Sequence, residues 1–242
     1  MPSILITGAS AGIGRATAEL FLAEGWIVGL LARREDVLQN IASDKPNAIV
    51  IPADVCDPAQ VASAFGSFQS QAGRLDVLFN NAGLFTEAAP IDEVPVADWD
   101  RAVAVNLTGM FLCARAAFKH MRMQDPQGGR IINNGSISAH VPRDGAVAYT
   151  VTKHGITGLT KQLSLDGRPF DIACGQIDIG NARTELLAGV IEKAASEAAP
   201  VPPTMDVGDV ARSVLHMAQL PPEANVQFMT VMATKMPYIG RG

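Results

Sequence analysis

Little in this sequence could act as a staple or a metal cage. Its 242 residues include three cysteines, Cys56, Cys113 and Cys174, too far apart to suggest a zinc or redox pair. An odd, scattered set of thiols suits a reducing, cytoplasmic compartment. Disulfides are not needed in any case, because a chain of this length buries a sizeable core unaided. His-Glu-x-x-His and Cys-x-x-Cys are absent and the four histidines show no ligand spacing, so no metal is expected. Acidic residues outnumber basic ones 24 to 19, a net charge of −5, which argues against a nucleic-acid partner. Apolar runs are short. Trp26 to Ala32 covers seven residues where a membrane span needs about 20, so no membrane partner is expected. Ile4 to Ile6 leads directly into a glycine loop, without the basic-then-apolar order of a secretory signal. What is present, 48% hydrophobic and 18% charged side chains, fits one soluble globular domain and excludes disorder, collagen and coiled coil.

Short β-branched or leucine-rich runs alternate with stretches of helical spacing, in the rhythm of βαβ units. Strands are predicted at Ser3 to Thr7, Trp26 to Ala32, Ala48 to Pro52, Leu75 to Asn80, Gly129 to Gly135, Phe170 to Gln176 and Val226 to Val231. Helices are predicted near Ile13 to Glu24, Pro58 to Gln71, Ala97 to Met121, Ala148 to Leu165 and Asp206 to Ala218. The strand runs are apolar throughout, as parallel strands covered on both faces must be. The expected fold is therefore α/β: a Rossmann-like, doubly wound, seven-stranded parallel sheet in three α/β/α layers, forming a single domain. In such sheets ligands bind beyond the carboxyl ends of the strands, so chemistry is sought just after each one.

After the first strand comes Gly8-Ala9-Ser10-Ala11-Gly12-Ile13-Gly14, opening a helix. Glycines there let the backbone turn tightly and approach a pyrophosphate, whose charge meets the free N–H groups of the helix start. These residues resemble the short-chain dehydrogenase/reductase family in its common subfamily, and the match continues along nearly the whole chain. By that resemblance Gly8, Ser10, Gly12, Ile13 and Gly14 bind the cofactor, and the loop Asn80-Asn81-Ala82-Gly83 flanks its adenosine part, with Asn81, Ala82 and Gly83 in contact. Asp54 and Val55, after the third strand, match the family's adenine-edge pair; the plainer reading of Asp54 is a turn, with Asp57-Pro58 as the helix start. NAD enzymes end the second strand in an acid that bonds the ribose 2′-hydroxyl, whereas a 2′-phosphate needs arginine. Here that strand ends in Ala32, followed by Arg33 and Arg34, and Glu35 and Asp36 belong to the next helix. NADP(H) is thus favoured over NAD(H), with Arg33 able to make a bidentate phosphate contact. Arg15 has Glu19 at i+4 and is given no cofactor role.

The fifth strand runs into Ser136, and thirteen residues later comes Tyr149, followed by Lys153. With two tyrosines in the chain, a Tyr-x-x-x-Lys match arises by chance only about 0.05 times. Residues i and i+4 share a helix face, so phenol and ammonium point into one site. A cation about 4 Å away is worth roughly three pK units to a phenol at an effective dielectric of about 20, which makes Tyr149 a general acid/base. Ser136 then polarises the substrate carbonyl. By resemblance Lys153, like Tyr149, also touches the cofactor, and Asn106 holds a water that relays protons to the lysine; a buried structural asparagine is the alternative.

The resemblance implies an oxidoreductase that interconverts a carbonyl and a secondary alcohol on a small-molecule substrate. A non-catalytic NADP-binding redox sensor on the same fold is the alternative, one with no need of Asn106, Ser136, Tyr149 and Lys153 together. The chain departs from the family after the sixth strand, where the usual Pro-Gly pair is missing from Ile177-Asp178-Ile179-Gly180; Ile179 and Thr184 are placed at the nicotinamide and pyrophosphate. The usual Asp-Gly-Gly ending is also missing. The helices Ala97 to Met121 and Ala148 to Leu165 resemble the family's interface helices, implying a homo-oligomer, tetramer or dimer. Residues 184 to 203 form an insertion whose apolar stripe, Leu186, Val190, Ala194 and Ala198 with Leu187, Ile191 and Ala195, suggests a lid over an apolar substrate.

Overall fold

Seven apolar runs pair side by side, all parallel, in the computed structural model, which describes residues 1–184 and 201–239. They are β1 (Ser3–Thr7), β2 (Ile27–Ala32), β3 (Ala48–Pro52), β4 (Val77–Asn80), β5 (Gly129–Asn134), β6 (Ile172–Ile179) and β7 (Phe228–Val231). Their order across the sheet is β3-β2-β1-β4-β5-β6-β7. The chain winds outward from β1 in one direction, then returns to β4 and winds outward in the other. The crevice between β1 and β4 is therefore the switch point at which such sheets bind ligands.

The helices between them are α1 (Gly12–Ala23), α2 (Glu35–Ala42), α3 (Pro58–Ala72), α4 (Val96–Val103), α5 (Met110–Met123), α6 (Val147–Gly167) and α7 (Val207–Gln219). Alternation along the strands sends side chains to both faces. Ile4, Ile6, Val28 and Leu30 join Phe21 of α1, Leu38 of α2 and Val210 and Val214 of α7 in one core. Leu5, Leu31 and Leu78 join Phe65 and Phe68 of α3 and Cys113 and Ala117 of α5 in the other. Phe68 is fully buried, a burial worth about 1.5–3 kcal/mol. Gly29 is glycine because a Cβ there would lie 2.5 Å from Leu5 Cδ1 and 2.6 Å from Phe68 Cδ2.

Three differences from the sequence-based expectation bear on the site. The sixth strand starts at Ile172 and ends at Ile179, where Phe170 to Gln176 was expected. Asp171, with φ at +54°, turns the chain out of the short 3₁₀ turn after α6, and Ile177, Asp178 and Ile179 continue the ladder with β7. Ile179 is thus the end of a strand, and Asp178 is brought inside the sheet. The helix expected over Ala97 to Met121 is interrupted by a π-helical turn, Ala104–Gly109, between α4 and α5. Finally, Val96–Met123 is long and apolar enough to cross a bilayer by length and composition alone, which the short apolar runs did not suggest. Here its Cys113, Ala114, Ala117 and Met121 are buried in the protein's own interior.

Candidate active site

A cavity of about 790 Å³ opens at the carboxyl ends of the strands, running from the glycine loop to β6. At its floor Gly8 and Gly12 hold φ of +69° and +52°, a region that costs residues with a Cβ and not glycine. Gly14 is not on the wall; its role is packing, since a Cβ would meet the Gly8 carbonyl oxygen at 2.3 Å. Ala11 provides no side-chain cap to α1, unlike Asp57 at α3, which accepts from the Ala59 and Gln60 N–H groups at 2.8 and 3.1 Å. The first amides of α1 are left to an anion supplied from outside. Ser10 and Ile13 line the wall beside them.

The loop after β4 is tied across the switch point. Asn81 N–H and Ala82 N–H both donate to Thr7 Oγ1, at 2.8 and 2.9 Å. Asn81 Nδ2 donates to the Thr7 carbonyl at 2.9 Å, and Asn81 Oδ1 accepts from Asn134 Nδ2 at 2.8 Å. One side chain thus joins β1, β4 and β5, and presents Asn81, Ala82 and Gly83 to the cavity.

At the end of β2, Arg34 Nη2 donates to Ser10 Oγ and to the Ser10 carbonyl, at 3.1 and 3.2 Å. The exposed Arg33 also lines the cavity and makes no hydrogen bond or ion pair among the described residues. Glu35 and Asp36 occupy the first turn of α2 and do not reach the wall. Asp54 and Val55 do reach it; Asp54 Oδ1 accepts from Cys56 N–H at 2.9 Å, and the helix starts at Asp57-Pro58. Arg15 pairs with Glu19 at 2.8 Å.

Ser136, Tyr149 and Lys153 meet on one wall. Lys153 is buried, and its Nζ donates to the Asn134 carbonyl at 2.7 Å and lies 5.5 Å from the Tyr149 ring centroid. Burial pushes the Tyr149 phenol above its ordinary value; the neighbouring Ser136 side chain and then the charge of Arg143 oppose the rise, and Asp178 adds to it. Burial also pushes Lys153 down, from 10.5 to about 8, which leaves it mostly protonated at pH 7. Asn106 is fully buried and off the wall: its Oδ1 accepts from Leu84 N–H at 2.8 Å and its Nδ2 donates to the Leu84 carbonyl at 2.9 Å. Its side chain clamps the loop after Gly83, and the π turn aims it there. Gly109, at the end of that turn, lets it pack on the loop after β3, since a Cβ would lie 2.9 Å from Val55 Cγ2.

Three residues were missed. Phe85 lies against the Tyr149 ring, with centroids 4.1 Å apart. Arg143 lines the cavity beside them. Asp178 is 1% exposed; its Oδ1 accepts from Ser136 N–H at 2.9 Å and Gln176 Nε2 at 2.7 Å, and its Oδ2 lies 2.8 Å from His140 Nε2. An acid within an apolar strand was the signal for Asp178, since charges are buried only when partnered. Ile179 and Thr184 line the cavity. The stripe from Leu186 to Ala198, and with it most of the expected lid, lies outside the described residues.

The family described as short chain dehydrogenase matches residues 2–195. Cis-4-hydroxycyclohexanecarboxylate dehydrogenase of Sinomonas cyclohexanicum is 33% identical over 189 residues, covering 77% of this chain and 75% of that one. Among solved structures, a closed form of serine dehydrogenase complexed with NADP+ superposes with a TM-score of 0.88 at 27% identity, covering 99% and 98% of the two chains. A 3-ketoacyl-(acyl-carrier-protein) reductase from Brucella melitensis complexed with NADH gives 0.86 at 25% identity, covering 96% of each.

Lys153 sets a pH dependence of folding. The unfolded chain keeps the lysine proton up to about 10.5, the folded one only to about 8. The cost of burying the charge is therefore present below pH 8 and fades as pH rises toward 10.5. In urea unfolding without cofactor, the stability of the wild type relative to Lys153→Met is expected to rise between pH 8 and 10. A pH-independent difference would contradict the depressed value.

Proposed function

Since the chain belongs to the short-chain dehydrogenase family, and is with it an oxidoreductase of alcohols and carbonyls, we propose that it is an NADP(H)-dependent enzyme. It interconverts a carbonyl and a secondary alcohol on a small substrate, with Tyr149 as general acid/base. The observation that carries this reading is the convergence of Ser136, Tyr149 and Lys153 on the wall of the cavity that begins at the glycine loop. A redox sensor without turnover has no use for that convergence.

The residues present fit a dinucleotide. The uncapped start of α1 suits a pyrophosphate, and the unpartnered Arg33 beside Arg34 and Ser10 suits a 2′-phosphate, with Asp54 and Val55 at the adenine edge. When bound, the nicotinamide supplies or accepts the hydride. Tyr149 Oη gives its proton to the carbonyl oxygen in reduction and takes it back in oxidation. Ser136 Oγ donates to the same oxygen and stabilises the charge that develops there. Phe85, packed on the phenol ring, keeps water from that side and offers the substrate an apolar surface. Lys153 holds its proton at the junction of Asn134 and the cofactor ribose, and Asn106 fixes the loop that closes the site. Residues 184 to 203 serve as the lid, joined to the cavity wall at Thr184.

The protein acts in the cytoplasm without a metal, nucleic-acid or membrane partner, and as a homotetramer or dimer. Phe111 and Val151 stand 48% and 44% exposed on α5 and α6, the helices by which such subunits would pair. Light scattering at micromolar concentration is expected to show an oligomer, and a monomer would refute the pairing.

Two substitutions test the chemistry. Tyr149→Phe is expected to abolish turnover while leaving cofactor affinity nearly intact, and more than about a tenth of the original rate would remove the phenol from the mechanism. NADPH is expected to bind at least tenfold more tightly than NADH, about 1.4 kcal/mol, and Arg33→Ala should erase most of that gap. Equal affinities in the unaltered protein would sink the assignment.

A further inference from the structure

The charge of the cavity singles out one arginine. The chain carries a net −5, yet among the described residues the wall holds five cations, Arg33, Arg34, Arg101, Arg143 and Lys153, against one carboxylate, Asp54. Four of the five are accounted for. Arg33 and Arg34 stand at the glycine-loop end, Lys153 is bonded to the Asn134 carbonyl, and Arg101 pairs with Asp98 at 3.1 Å. Arg143 is half-buried, and no ion pair among the described residues includes it. Its Nη2 makes one long hydrogen bond, 3.3 Å to the neutral Asn181 Oδ1.

Its position is as telling as its charge. Arg143 and Asn181 line both the main cavity and a second one of about 310 Å³, which is walled further by Ile137, Val141, Asp144 and Tyr238. No residue of the glycine loop or of the β2–α2 turn reaches this second cavity. Arg143 thus stands where the two meet, close enough to Tyr149 for its charge to act on the phenol. The turn that carries it is held in place: Gly145, at φ +68°, accepts from Ala89 N–H at 3.1 Å. Two carboxylates stand at this end. Asp178 is taken up by Ser136, Gln176 and His140; Asp144, on the wall of the second cavity, is exposed and forms no ion pair among the described residues.

A half-buried guanidinium that forms no ion pair among the described residues has lost water and gained little in return. Its planar fork matches a compact oxyanion in bidentate geometry. We propose that Arg143 anchors an anionic end of the substrate, a carboxylate or sulfonate. Preferred substrates are then small hydroxy or oxo acids whose apolar body lies along Phe85 and whose reacting carbon faces Tyr149. This rests on the oxidoreductase reading and revises the expectation of an uncharged apolar substrate, which came from a stripe outside the described residues.

The test separates the anchor from the reaction. The protein, saturated with NADP+ or NAD+, is titrated calorimetrically with cyclohexanecarboxylate and with cyclohexanecarboxamide. Reduction of 4-oxocyclohexanecarboxylate and of its methyl ester is followed in parallel. The carboxylate is expected to bind at least tenfold more tightly than the amide. Arg143→Met should abolish that gap and raise KM for the acid at least tenfold, with little change for the ester, while Arg143→Lys keeps part of the preference and cofactor affinity stays within twofold in both variants. Equal affinity for acid and amide, including no binding of either, overturns the anchor, as does a preference that survives Arg143→Met. Carboxylate binding that depends on Arg143, with no carbonyl reduced, upholds the anchor and refutes the oxidoreductase reading instead.

Discussion

With 1% of its surface exposed, the Asp178 carboxylate accepts hydrogen bonds from the Ser136 backbone and the Gln176 amide and meets the His140 ring, and so decides where the Ser136 hydroxyl lies. A buried carboxylate is costly unless it is paired and hydrogen-bonded, which ties three elements to one point: β6 that carries it, the turn after β5 that holds Ser136, and the 3₁₀ turn before His140. Gly135 is part of the same arrangement, because a Cβ there would lie 2.1 Å from Asp178 Oδ1. The carboxylate also supports the Lys153 charge against its burial. Its charge thus acts on both Lys153 and Tyr149, favouring the ammonium and disfavouring the phenolate.

Behind this carboxylate runs a chain of neutral polar groups that fixes β5, β6 and α6 in register. Gln176 Nε2 donates to Thr157 Oγ1 at 3.1 Å, Thr160 Oγ1 donates to Gln176 Oε1 at 3.0 Å, and Asn133 Nδ2 donates to Thr160 Oγ1 at 2.9 Å. Asn80 Nδ2 extends it to the Met110 carbonyl at the start of α5. Such a network is unforgiving in a low-dielectric interior, because each unmet group costs more than each bond gains. Its consequence for function is rigidity: α6 carries Tyr149 and Lys153, and the network sets their distance from Ser136.

The doubly wound parallel sheet and the glycine turn at its edge were legible in the sequence because they rest on local patterns. Apolar runs mark buried parallel strands, glycines at Gly8 and Gly12 mark left-handed backbone, and Tyr149 and Lys153 are four apart on one helix. What escaped depends on pairings distant in sequence. Nothing near Asp178 announces that Ser136, forty-two positions away, needs its carboxylate. The π turn holds Asn106 in its tertiary clamp on Leu84, a pairing that no local propensity encodes. The end of β6 was misplaced for a related reason: an aspartate reads as a strand breaker until its partners are known.

The electrostatics of the proposed proton transfer follow from these placements. Burial keeps the proton on Tyr149, and of the charges that act on it, Arg143 favours release and Asp178 favours retention. On the anchor proposed for Arg143, a seated anion offsets the releasing charge, so the phenol of the substrate complex is a weaker acid than that of the free protein. An anionic substrate is then better placed and meets a weaker acid, whereas an uncharged ketone in the same cavity leaves the acid unchanged. Substrate recognition and the acid strength of the tyrosine are coupled in this way through a single guanidinium.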